Sequence, residues 1–93
     1  WRFETQPYGN YCEEYWKRMK KMELKNFGMS WDELFLRFTL SAVGVSSAIV
    51  GSINIDHIKR NVEIAEKGNL SIDIYGELRR VFNEKQENWR GEI

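Results

Sequence analysis

The sequence predicts a mainly α chain of about four helices with at most one short strand. Three observations carry this expectation. Apolar residues recur at spacings of three and four along four stretches, which is the period of a helix with one buried face. Each stretch opens on a residue able to cap a helix, and three of them close near a glycine. Only Val45–Val50, set between Gly44 and Gly51, combines β-branched and small residues as a short strand does.

Residues 1–9 read as irregular, with Pro7 and Gly9 as breakers. Asn10 is a good N-cap, and Glu13 follows at capping-box spacing. Cys12, Tyr15, Trp16, Met19 and Met22 then define a helical stripe that Gly28 is expected to end. Lys17, Arg18, Lys20, Lys21 and Lys25 make its outer face basic, for which a solvated surface is the plainer reading and a binding patch the sharper one. Ser30-Trp31-Asp32-Glu33 is a second capping box, with acids opposing the helix dipole. The helix it opens, from Leu34 and Phe35 to Val43, is apolar on nearly every side and should be buried in something larger. A lone strand at Val45–Val50 leaves its backbone groups needing neighbours, which points the same way.

Asn54 or Ser52 caps a third helix with Ile55, Ile58, Val62 and Ala65 on one face, and Gly68 ends it. Ser71 caps a fourth, whose stripe is Ile74, Tyr75, Leu78, Val81 and Phe82. Residues 85–93 form a polar C-terminal tail closing on Trp89-Arg90-Gly91-Glu92-Ile93.

At 93 residues and 11.1 kDa, residues 1–93 make one small domain or a piece of a larger one. The start at Trp1, without Met, suggests the piece. Lys and Arg number 14, as do Asp and Glu, and the resulting zero net charge argues against a general nucleic-acid binder. A single cysteine excludes an internal disulfide and fits a reducing, cytoplasmic setting. No apolar run approaches the length of a membrane span, and no signal-peptide pattern opens the chain.

The most informative stretch runs from Ile49 to His57: a strand, a glycine turn and a helix start. Free backbone N–H groups and the helix dipole make such a turn an anion site. Gly51 would let a ligand approach the backbone, Ser52 and Asn54 add hydrogen bonds, and His57, Lys59 and Arg60 add basic groups. The competing reading is an ordinary strand-to-helix turn with ordinary caps. His57, the only histidine, is a poor metal ligand on its own, so no metal is expected. Cys12 and Tyr75 read as packing, and Asp56 and Asp73 as helix-start residues. No nucleophile triad, Walker loop or dinucleotide fingerprint is present, so no catalytic residue is expected.

Several segments in this order resemble the C-terminal end of an aldo-keto reductase. They are Gly28-Met29-Ser30-Trp31-Asp32-Glu33-Leu34, Leu36-Arg37-Phe38, Leu40-Ser41, Gly44–Gly51, His57-Ile58 and Asn61. Arg2-Phe3, Tyr15-Trp16 and the closing Trp89–Ile93 extend the resemblance over nearly the whole chain. The resemblance implies the C-terminal part of a (β/α)8 TIM barrel, with Val45–Val50 as its eighth strand. It implies a parent enzyme transferring hydride between NADP(H) or NAD(H) and a carbonyl or alcohol, whose catalytic residues lie outside this chain. By position, Gly51, Ser52, Ile53 and Asn54 would line the cofactor phosphate, His57 would face the 2′-phosphate, and Arg60 and Asn61 the adenine. His57 stands where an arginine is common, and Arg60 where an acid is common, which leaves the choice between NADP and NAD open.

On this reading the expected partners are the remainder of the barrel and the nicotinamide cofactor. The isolated chain would be inactive and would self-associate to cover Leu34, Phe35, Phe38 and the strand region. The alternative is a non-enzymatic helical module for self-association or protein interaction. A stand-alone binder of nucleotide phosphate is a third reading, and the thinner one.

Overall fold

The structure, a computed structural model, describes residues 5–92. It holds four helices: α1 (Tyr11–Met22), α2 (Trp31–Ser41), α3 (Ile55–Glu66) and α4 (Ile72–Lys85). There is no strand among the described residues, so the mainly α expectation is met. Arg2, Phe3 and Ile93, which carry part of the resemblance, lie outside the described residues. The contacts divide the chain into two compact units. One unit is Asn26–Tyr75, and the other joins the segments before and after it.

Within Asn26–Tyr75, α2 begins as the capping pattern requires. Ser30 Oγ accepts the Glu33 N–H at 3.4 Å, and Asp32 and Glu33 occupy the first turn. Glu33 does not reach back to complete the box. Its carboxylate is buried and accepts instead from Arg37 at 3.1 Å and Lys67 at 2.6 Å. Arg37 also donates to the carbonyls of Gly68 at 3.0 Å and Asn69 at 2.9 Å. Ser41 Oγ donates to the Arg37 carbonyl at 2.6 Å and accepts the Leu70 N–H at 2.9 Å. These bonds hold α2 to the α3–α4 connection. Leu34 on α2 and Ile64 on α3 are fully buried where the two helices pack, and Leu70 is nearly so. Trp31 stacks on Phe35 with centroids 5.6 Å apart, and Phe38 on Tyr75 at 5.0 Å.

The expected strand is corrected. Val45–Val50 forms no ladder, because no second extended segment among the described residues supplies its donors and acceptors. The Val45 N–H closes a turn onto Ala42 O at 3.1 Å, and Ile49 is fully exposed. Two helix ends also differ from expectation. α1 stops at Met22, not near Gly28, because Glu23 takes the left-handed conformation (φ 50°) and its N–H bonds Lys20 O. Gly28 (φ 79°) instead belongs to a tight Asn26–Met29 turn, in which Asn26 Oδ1 accepts the Gly28 N–H at 3.1 Å. α2 ends at Ser41, which leaves Val43 outside the helix and fully exposed.

In the other unit, Asn10 Oδ1 caps α1 by accepting the Cys12 N–H at 2.8 Å, and Glu13 reaches back to the Gly9 N–H at 3.3 Å. The basic face of α1 is largely neutralised in place. Lys17 pairs with Glu13 at 3.0 Å, Lys21 with Glu87, and Arg18 with Glu14 and Glu92. Lys20 lies over the Trp16 ring at 5.4 Å. The solvated-face reading therefore fits better than a binding patch. On α4, Arg80 bridges Glu77 and Glu84 along the helix surface.

Cavity formation in the α2–α3 core sets the first expected outcome. Leu34→Ala or Ile64→Ala should each lower the unfolding free energy by about 2–5 kcal/mol. Ile49→Ala, at a fully exposed position, should stay within about 0.5 kcal/mol. Urea denaturation of the three variants measures the contrast.

Candidate functional site

The loop before α3 is built by two short side chains. Ser52 Oγ accepts the Asn54 N–H at 3.0 Å and donates to the Asn54 carbonyl at 3.4 Å. Asn54 Oδ1 in turn accepts the Asp56 N–H at 2.9 Å, which makes Asn54 the cap rather than Ser52. The Ile58 N–H goes to the Asn54 carbonyl at 3.2 Å. Among the described residues, no protein acceptor takes the first-turn N–H groups of Ile55 and His57. Those two donors, with the α3 dipole behind them, are what this turn offers an anion. His57 and Lys59 are exposed beside them, and Ile53 is fully exposed. A methyl group added at Gly51 would meet nothing within 4 Å, so the protein's own packing sets no demand for glycine there.

Arg60 is placed differently from its neighbours. Its Nε donates to Asp32 Oδ2 at 2.7 Å, and its Nη2 donates to Ser30 Oγ at 2.8 Å. The guanidinium thus ties the second turn of α3 to the N-cap and first turn of α2. The Arg60 hydrogen bond holds the Asp32 carboxyl far below its ordinary value, and the same bond pushes Arg60 up. Asn61 sits on another face. With Leu36 and Leu40 of α2, Ala48 and Val50, and Ile58, Val62 and Ala65 of α3, it lines an apolar groove of about 200 Å³.

The residues singled out from the sequence therefore fall into three groups. Gly51, Ser52, Ile53, Asn54 and His57 gather at the α3 start, Arg60 is committed to Asp32, and Asn61 belongs to the groove. The Arg60–Asp32 pair spans 28 residues and leaves no local signal. The α2 and α3 walls of the groove were legible as helical stripes, but its closure by Ala48 and Val50 was not. Among the described residues, no group of three or more His, Cys, Asp or Glu is arranged to hold a metal. Among the described residues, no helix is long and apolar enough to cross a membrane. Comparison with protein-family models, curated proteins and solved structures returned no match.

The Asp32–Arg60 pair predicts a pH response. Because the folded carboxyl titrates below its ordinary value of 3.8, its contribution to stability is complete above that pH. The contribution falls away as the pH drops toward the folded value. Arg60→Gln should flatten this part of the stability profile and leave the slope near neutral pH unchanged. Denaturant midpoints collected from pH 2.5 to pH 7 would check it, and an unchanged acid limb would remove the pair from the account.

Proposed function

We propose that this chain is the C-terminal, cofactor-binding part of a cytoplasmic aldo-keto reductase. The parent enzyme would transfer hydride between NADP(H) or NAD(H) and a carbonyl or alcohol substrate. The observation that carries the reading is the coincidence of the anion-accepting turn at the start of α3 with the segment that the resemblance assigns to cofactor phosphate. The order helix, extended segment, helix also suits the end of a (β/α)8 barrel. α2, residues Ala48 and Val50, and α3 share one apolar groove, and the exposed Ile49 and the unpaired backbone around it would face neighbouring strands.

The residues present fit a phosphate group. The N–H groups of Ile55 and His57 would donate to it, Ser52 and Asn54 shape the turn, and His57 and Lys59 supply charge. Ile53 would flank the same oxygens. Asn61 would meet the adenine, and Arg60 would reach it only by leaving Asp32. When bound, the nicotinamide supplies the hydride chemistry, and this chain supplies position and electrostatics for the adenosine end. It contributes no catalytic residue and has no turnover alone.

A second reading is favoured by one observation. Val43, Ile49 and Ile53 are all fully exposed within a short span that no helix among the described residues covers. A helical self-association module would bury them against a second copy, and the remainder of the barrel would bury them in the parent enzyme.

Titration with NADPH and NADH, followed by amide shifts, separates the two readings. The cofactor reading expects shifts confined to Ser52, Asn54, His57 and Asn61, lost in the Ser52→Ala/Asn61→Ala double variant. Gly51→Ala should leave stability unchanged while weakening the cofactor response, because only a ligand needs the space there. No shift at millimolar cofactor, together with a concentration-dependent dimer in sedimentation, would favour the module.

A further inference from the structure

Residues 38–55, between Arg37 and Asp56, contain no charged residue and no proline. The run therefore lacks the devices that keep an open strand edge from pairing. Within it, no backbone N–H or carbonyl of residues 46–51 has a protein partner among the described residues. Side chains alternate there as on a strand. Ala48 and Val50 line the groove walled by α2 and α3, while Ile49 between them is fully exposed. The helices thus cover one face, and a row of main-chain donors and acceptors stays open. Another extended backbone is the chemistry that takes up such a row.

The alternation also says what that backbone is. Residues opposite each other in an antiparallel ladder share a face, so covered positions must meet covered and exposed must meet exposed. A second copy of the segment meets this demand with Ile49 opposite Ile49. Ala48 of each copy then lies opposite Val50 of the other, and the groove residues of both stay on the face the helices cover. Such a contact is isologous, as a two-fold dimer requires. Charge sets no barrier, because the run is uncharged and the whole chain is neutral. There is also surface enough to bury. The chain exposes 7241 Å², where a folded monomer of 11.1 kDa exposes about 5,700 Å². The surplus exceeds the about 800 Å² per partner that a stable interface takes. Val43, Ile49 and Ile53, all fully exposed, place part of it on this run.

We propose that the chain dimerises by antiparallel pairing of residues 46–51 with the same residues of a second copy, centred on Ile49. The inference rests on the self-association reading and deepens it: the contact is main-chain pairing of the α2–α3 connection, in place of helix packing. The cofactor reading is independent of it.

The test uses the full chain with Ile49→Lys and Ile49→Glu, at a fully exposed position that leaves the packing of the monomer intact. Sedimentation should show a concentration-dependent dimer for the unsubstituted chain, accompanied by an infrared band of paired strands that the monomer lacks. Each variant alone should be monomeric, because like charges then lie opposite each other. An equimolar mixture of the two variants should dimerise again, because opposite charges then meet. A dimer that survives in either variant alone overturns the pairing and leaves association through helix faces. A mixture that stays monomeric overturns the Ile49 register, and with it the proposal. An unsubstituted chain that is monomeric at every concentration overturns both the pairing and the self-association reading.

Discussion

Within Asn26–Tyr75, the organisation depends on one buried carboxylate. Glu33 lies in the first turn of α2 with almost no access to water, and a charge there is tolerable only when paired and hydrogen-bonded. Lys67 first, and then Arg37, hold its carboxyl below its ordinary value against the opposing effect of burial. The two partners come from opposite sides of the packing. Arg37 is one turn along α2, and Lys67 caps the end of α3. Arg37 then spends its remaining donors on Gly68 and Asn69, so the same group that satisfies Glu33 also fixes the α3–α4 connection. Removing Glu33 would leave Arg37 half-buried with fewer acceptors, which is why this is a clasp rather than an isolated ion pair.

The clasp acts at the C-terminal end of α3, and Arg60 acts from its second turn. Two cations from one helix reach successive acids, Asp32 and Glu33, on the first turn of another. The acids already suit that position because they oppose the α2 dipole, so each does two jobs. α3 is held to the first turn of α2 from its second turn and from its C-cap, and its first turn has its cap formed.

Local signals in the sequence were reliable where a feature depends on a few adjacent residues. Asn10, Ser30, Asn54 and Ser71 all cap helices, because a side-chain oxygen reaching an N–H two or three residues ahead needs no tertiary context. The signals failed where distant partners decide. Val45–Val50 has strand composition, yet a strand is a property of at least two segments. The end of α1 was misread because Glu23 takes a left-handed conformation that is uncommon outside glycine and asparagine. Glu33 looked like the reciprocal half of a capping box, but Lys67, 34 residues away, offered its carboxylate a stronger partner. The basic residues on either side of the candidate turn looked equally available from spacing, and only the fold separates Arg60 from His57 and Lys59.

That separation changes the chemistry open to the turn. An arginine bound bidentately in an ion pair is a structural group, and moving it onto a ligand would cost the pair it leaves. On the proposed reading, what remains for an anion at α3 is backbone donors, short polar side chains, Lys59 and His57. Backbone N–H groups recognise a phosphate by position and hardly at all by its ionisation state. An extra ribose phosphate, by contrast, is distinguished from a hydroxyl mainly by fixed positive charge. On the proposed cofactor reading, a turn of this composition favours the common part of the two nicotinamide cofactors over the part that distinguishes them. On that reading, Lys59 carries the fixed charge at the turn that is left to discriminate between them.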